Sequence, residues 1–156
     1  MSGKIRDGFM LSTFIEKINH KEAIIAVVGL GYVGLPLMLR FAEVGYRVIG
    51  IDVNENKNTM LNGGQSYIQH ISSEKILAQK SKIAATSDFE ACIEADAIIL
   101  CVPTPLNKYR EPDLSYLQQS MAALLPHLRA GQLVSLESTT YPGTTQEELK
   151  PRIESR

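Results

Sequence analysis

Ile24-Ile25-Ala26-Val27-Val28, running directly into Gly29-Leu30-Gly31-Tyr32-Val33-Gly34, is the stretch that decides the fold. Five apolar residues in a row suit a strand covered on both faces, the kind found in the middle of a parallel sheet. The glycines that follow fit the pattern GxGxxG, which is a weak signal alone. It gains meaning here because a helical pattern comes next, with Val33, Leu37, Phe41 and Val44 recurring along one face. Pro36 falls in the first turn of that helix, where a missing N–H does least harm, and Gly45 can end it. Gly29 permits the tight turn, Gly31 leaves room for a diphosphate against the backbone, and Gly34 allows the helix to pack close to the sheet. The helix N-terminus then offers free amides and a favourable dipole to an anion.

Working outward, short apolar runs alternate with helical patterns, as in an α/β fold with helices on both faces of a parallel sheet. After Ile24–Val28, further strands are expected over 47–51, 82–86, 97–102 and 132–136. Asn54 is expected to cap a short helix ending at Asn62-Gly63-Gly64, and Ser72 or Ser73 one running toward Gln79. Ser87 or Asp88 should cap a helix ending near Glu94. Asp113 should cap one carrying Leu114, Leu117, Met121, Leu124 and Leu128, cut short by Pro126. Thr145 and Glu148 have capping-box spacing for a last helix. Right-handed crossovers then give a Rossmann-type sheet of five strands in the order 3-2-1-4-5. No sixth strand follows, so the chain is expected to be a fragment, with 132–136 forming an open, self-associating edge. Residues 1–21 read as a leader, with the apolar positions of Phe9–Ile18 forming a short amphipathic helix on the domain; residues 22–156 read as the nucleotide-binding domain.

Composition agrees. The chain has 156 residues, 44% of them hydrophobic, enough for one domain with a full core. A net charge of -1 provides no basic field for a nucleic-acid backbone. Cys92 and Cys101 make neither a disulfide framework nor a metal cluster and read as reduced thiols of a cytoplasmic protein. No run is apolar enough for a signal peptide or a membrane span.

Asp52 closes the second expected strand, where an acid accepts hydrogen bonds from the adenosine ribose. Its charge repels a 2′-phosphate, and Val53 follows where an arginine would receive one, so NAD is favoured over NADP. Lys57, one helical turn on, is within reach of the ribose or phosphate edge. S-adenosylmethionine domains and nucleotide-sensing regulatory domains share part of this pattern and stay open at this point.

Three segments narrow the choice: Val27–Pro36; Cys101-Val102-Pro103-Thr104-Pro105; and Glu137-Ser138-Thr139-Thr140-Tyr141-Pro142-Gly143-Thr144-Thr145, with Arg110–Tyr116 also similar. Together they resemble the N-terminal NAD-binding domain of the UDP-glucose/GDP-mannose dehydrogenase family. The last segments are most similar to the UDP-N-acetylglucosamine 6-dehydrogenases of bacterial surface-polysaccharide pathways. The resemblance implies that Gly29, Leu30, Gly31, Tyr32, Val33, Gly34, Asp52 and Lys57, with Val102, Pro103, Thr104, Ser138 and Thr139, contact the cofactor. Thr139 would also lie beside the reacting centre, while the role of Glu137 stays open. It implies two successive oxidations of a sugar C6 alcohol, each using one NAD, with a cysteine trapping the aldehyde. Neither Cys92 nor Cys101 fits that cysteine, which in the family belongs to a C-terminal part. This chain is therefore expected to bind NAD without turning over a UDP-sugar. A stand-alone NAD-sensing module would need no polar Thr104 and Thr139 loops; a UDP-glucose dehydrogenase, or a 3-hydroxy-acid or 6-phosphogluconate enzyme, would be a further possibility.

Overall fold

The computed structural model describes residues 2–155 apart from Asn107, Tyr109 and Glu111; Glu111 of the Arg110–Tyr116 segment and Arg156 thus lie outside the described residues. Five strands form one parallel sheet in the order β3-β2-β1-β4-β5: β1 Ile24–Val28, β2 Arg47–Ile51, β3 Ile83–Thr86, β4 Ala97–Leu100 and β5 Leu133–Leu136. The helices are α1 Ser2–His20, α2 Gly34–Glu43, α3 Glu55–Asn62, α4 Ser73–Gln79, α5 Ser115–Leu124 and α6 Lys150–Glu154.

The sheet divides its apolar residues by the two-residue period of a strand. Ile25, Val27 and Val48 point to one face, where Leu35, Met38, Leu39 and Ile76 cover them. Ala26, Val28, Ile49, Ile51, Ile98 and Leu100 point to the other, under Cys92, Leu117, Met121, Leu124 and Leu149. Each fully buried Leu or Met contributes about 1.5–3 kcal/mol relative to exposure. The helix expected over Phe9–Ile18 runs longer, from Ser2 to His20. Phe14 and Ile18 pack on the first core cluster. Lys17 donates to Asp96 Oδ1 at 2.7 Å, and Asp96 also accepts from the Ile24 amide and, at 3.3 Å, from Arg129. Asp96 precedes β4 and Ile24 opens β1, so α1 is fastened at the N-terminal ends of the strands. Burial pushes the Asp96 carboxyl up, but the hydrogen bonds from Lys17 and Ile24, the Lys17 charge and Arg129 outweigh this and hold it below the usual carboxylate range.

Several expected boundaries shift. β4 stops at Leu100, not Val102, because its partner β1 ends at Val28 and Gly29 turns away with φ +91°; Cys101 thus lies just past the strand. β3 and β5 each begin one residue later than expected, and Gln132 instead sends its side chain to the carbonyls of Cys92 and Ala95. The segment capped by Asp88 is a 3₁₀ helix, Phe89–Glu94. Ser72 sits at the N-cap of α4 but makes no side-chain cap bond. The Thr145/Glu148 capping box is not formed: Thr144 occupies the N-cap and donates its hydroxyl to the Tyr141 carbonyl, and a π-helical turn, Thr145–Leu149, leads into α6.

Candidate functional site

The C-terminal ends of β1, β2 and β4 open into a cleft of about 380 Å³. This is where an open α/β sheet binds its ligand, at the point where the strand order reverses. Val28 lines it from β1, Gly29 and Gly31 from the glycine loop, Ile51, Asp52 and Lys57 from β2 and α3, and Cys101, Val102 and Pro103 from the loop after β4.

The three glycines separate by physical role. A Cβ on Gly34 would overlap the Gly29 carbonyl oxygen, and one on Gly29 would stand 2.6 Å from the Cys101 carbonyl oxygen. Those two are demanded by the fold. A Cβ on Gly31 would meet nothing within 4 Å. The protein does not fill that space, although Gly31 borders the cleft. No side chain caps the N-terminus of α2 either; Leu35 already donates to the Gly31 carbonyl and Pro36 has no N–H, so the amides placed for an anion are those of the glycine loop up to Gly34. These features fit the diphosphate of a dinucleotide.

Asp52 is only 7% exposed. Its Oδ2 accepts from the Leu30 amide at 2.9 Å and from Lys57 Nζ at 2.8 Å; its Oδ1 accepts from the Asn54 amide at 2.9 Å. The buried Asn58 holds the Asp52 carbonyl through its own side-chain amide. The acid is therefore fixed in place and its charge is balanced by Lys57. Oδ1, with one protein donor, retains acceptor capacity for a ribose hydroxyl.

The remaining expected residues do not all face the cleft. The Leu30 side chain is fully buried in the core, so only its backbone belongs to the loop. Tyr32 and Val33 are 77% and 57% exposed at the loop tip. Thr104, Ser138 and Thr139 do not line the cleft. The Thr104 hydroxyl donates to the Thr139 carbonyl, and the Ser138 hydroxyl to the Val102 carbonyl at 2.8 Å. They fasten the loop after β4 to the loop after β5. Glu137 accepts from the Ser135 hydroxyl. Burial pushes the Cys92 thiol up to about 12, and burial with the Glu137 charge pushes Cys101 up to about 11. Neither is a poised nucleophile.

One wall of the cleft escapes the sequence reading. Tyr116, Gln119, Ser120 and Ala123 of α5 line it, with Phe89. Their spacing is that of one helix face, beside the buried Leu117, Met121 and Leu124. A second stripe at helical period, read alongside the apolar one, would have found them.

The model of the UDP-glucose/GDP-mannose dehydrogenase family, NAD binding domain, matches residues 23–156. The chain belongs to this family. Its cofactor is NAD. A UDP-N-acetyl-D-glucosamine 6-dehydrogenase of Salmonella typhi is 38% identical over 130 residues, covering 83% of this chain and 30% of the relative. A UDP-N-acetyl-D-mannosamine dehydrogenase of Escherichia coli is 38% identical over 128 residues, 80% of this chain and 30% of the relative. Among solved structures, the UDP-N-acetyl-mannosamine dehydrogenase Cap5O of Staphylococcus aureus superposes with a TM-score of 0.76 at 35% identity, over 85% of this chain and 33% of that one. GDP-mannose dehydrogenase of Pseudomonas aeruginosa gives 0.79 at 30% identity, over 84% and 32%. The chain thus spans about 30% of the length of the curated relatives it matches. Among the described residues, no helix is long and apolar enough to cross a membrane.

Proposed function

We propose that this domain supplies the NAD site of an enzyme oxidising C6 of a UDP-N-acetylhexosamine, with UDP-N-acetylglucosamine as substrate, in the building of surface polysaccharide. The observation that carries the site is the space in front of Gly31, which the fold leaves open, beside an Asp52 carboxylate held at the end of β2. The glycine loop and the α2 N-terminus would hold the diphosphate, and Asp52 the adenosine ribose. Bound there, NAD would accept hydride from the sugar carbon. Val102 and Pro103 would border the dinucleotide beyond the diphosphate, and Thr104, Ser138 and Thr139 would shape the loops beside the nicotinamide. Equal identity to the gluco and manno relatives supports the N-acetylhexosamine class as a whole. We assign residues 1–21 to a leader and 22–156 to the NAD domain, place the protein in the cytoplasm, and expect self-association through the β5 edge, where Leu133 is half exposed.

The chain by itself is expected to bind NAD without turnover, since both thiols are buried and unactivated. The test is to incubate it with NAD and UDP-N-acetylglucosamine, following cofactor binding by calorimetry and NADH by absorbance. Binding without NADH is the expected result. Formation of two NADH per sugar would mean that Cys92 or Cys101 is in use. Absence of NAD binding would contradict the site.

A further inference from the structure

The segment 65–72, between α3 and α4, crosses to the glycine loop and touches it twice. The Tyr67 hydroxyl donates to the Leu30 carbonyl at 2.6 Å. The His70 ring stacks on Tyr32, with centroids 6.0 Å apart and planes 19° from parallel. The segment is itself firmly held. Ile68 and Ile71 are buried in the core. The Ser66 amide donates to the Ser73 hydroxyl, and the Ile71 amide to the Ile68 carbonyl. It is a fixed strap behind the loop.

The first contact has a geometric consequence. The Leu30 carbonyl and the Gly31 N–H belong to one planar trans peptide unit, so they point in opposite directions. Tyr67 does not line the cleft, whereas Gly31 does. Fixing the Leu30 oxygen toward Tyr67 therefore aims the Gly31 N–H away from the strap. The neighbouring peptide unit is pinned as well, because the Leu30 N–H is bonded to Asp52. Tyr67 belongs to the same assembly: Lys57, which pairs with Asp52, lies 5.7 Å from the centre of its ring.

We propose that Tyr67 is a positioning residue for NAD, acting through the Leu30–Gly31 peptide to present the Gly31 amide to the diphosphate. This rests on the glycine loop being the diphosphate site. Burial and the Asp52 charge both push the Tyr67 hydroxyl well above its ordinary range, so it remains a proton donor at working pH.

The test is Tyr67→Phe in the full chain, which keeps the ring and removes only the hydroxyl. Calorimetry with NAD, ADP and adenosine is paired with the ¹H–¹⁵N signal of Gly31. The loss of one oriented hydrogen bond is expected to weaken NAD and ADP by about threefold to tenfold. Adenosine, which has no phosphate, should bind as to the wild type; a general loosening of the domain would weaken all three. In the wild type, ADP should move the Gly31 amide signal strongly, and in the variant less. Equal NAD and ADP affinities in wild type and variant would overturn the role of Tyr67. So would a wild-type Gly31 signal indifferent to ADP, a result that does not depend on the variant folding. A wild type that binds neither NAD nor ADP would instead overturn the site reading on which this rests.

Discussion

The two sides of the cleft are built differently. On the β1–β2 side, Asp52 is buried with three donors on its carboxylate, and Asn58 holds its carbonyl. The glycine loop is pinned at Leu30 from both its N–H and its carbonyl. On the β4–β5 side, Thr104 and Ser138 reach only backbone carbonyls on the opposite loop, and the Thr104 bond lies on exposed ground. β5 itself is nowhere fully buried. The difference teaches that the half of the site expected to hold adenosine and diphosphate is preorganised within this chain. The half expected to face the nicotinamide is bordered by the loops after β4 and β5, which Thr104 and Ser138 fasten to each other.

The largest effects should fall on the glycine loop, where two substitutions break the comparison in opposite ways. Gly34→Ala places a methyl on the Gly29 carbonyl and is expected to cost at least about 3 kcal/mol of stability, read by chemical denaturation. A Cβ at Gly31 meets no protein atom within 4 Å, and Gly31 is not among the glycines with positive φ, so the fold should survive Gly31→Val. NAD affinity should then fall more than about 100-fold as two or more amide–phosphate bonds are lost. A Gly31→Val chain that binds NAD normally would make the loop a mere turn.

Asp52→Ala should weaken NAD by about 1.5–3 kcal/mol, some 10- to 150-fold. NADP should lose less, or gain, because Lys57 is released from its pair. Unchanged NAD affinity by calorimetry in a folded variant would remove Asp52 from the site.

How much of this was legible in the sequence follows from the range of each interaction. Ile24–Val28 and Arg47–Ile51 are read residue for residue, because strands buried on both faces write near-continuous apolar runs, the second opening on the exposed Arg47. The end of β4 is not legible from 97–102, since it depends on where β1 turns away. Phe89–Glu94 winds as a 3₁₀ helix, which its Asp88 cap, suited equally to an α-helix, does not reveal. In the site, the glycines and Asp52 announce themselves by spacing along one βαβ unit. Tyr67 and Asp96 do not. Their partners Leu30 and Lys17 lie 37 and 79 residues away, and no local pattern encodes such a pairing.

Asp96 supplies a control at the opposite end of the strands. Asp96→Ala should cost about 2–3 kcal/mol, moderated because Lys17 and Arg129 are each about 40% exposed and can return to water. NAD affinity at neutral pH should not change. The folded carboxyl lies below its unfolded value of about 3.9, so its contribution is present above that value and lost as pH falls through the lowered one. The stability gap between wild type and variant should therefore close below about pH 4. A gap that stays constant to pH 2.5 would contradict the ion pair.

The smallest effect is expected from Thr104→Val, which unfastens one bond between the two loops. Stability should fall by about 0.5–1.5 kcal/mol and NAD affinity less than about threefold. A tenfold loss would mean that the nicotinamide side is as preorganised as the adenosine side.

The most direct measurement is a side-by-side calorimetric titration of the full chain with NAD, ADP and nicotinamide mononucleotide. If the adenosine and diphosphate half is built within this chain, ADP should retain most of the binding free energy of NAD, and nicotinamide mononucleotide should give no detectable heat. Tight binding of nicotinamide mononucleotide with none of ADP would contradict the account.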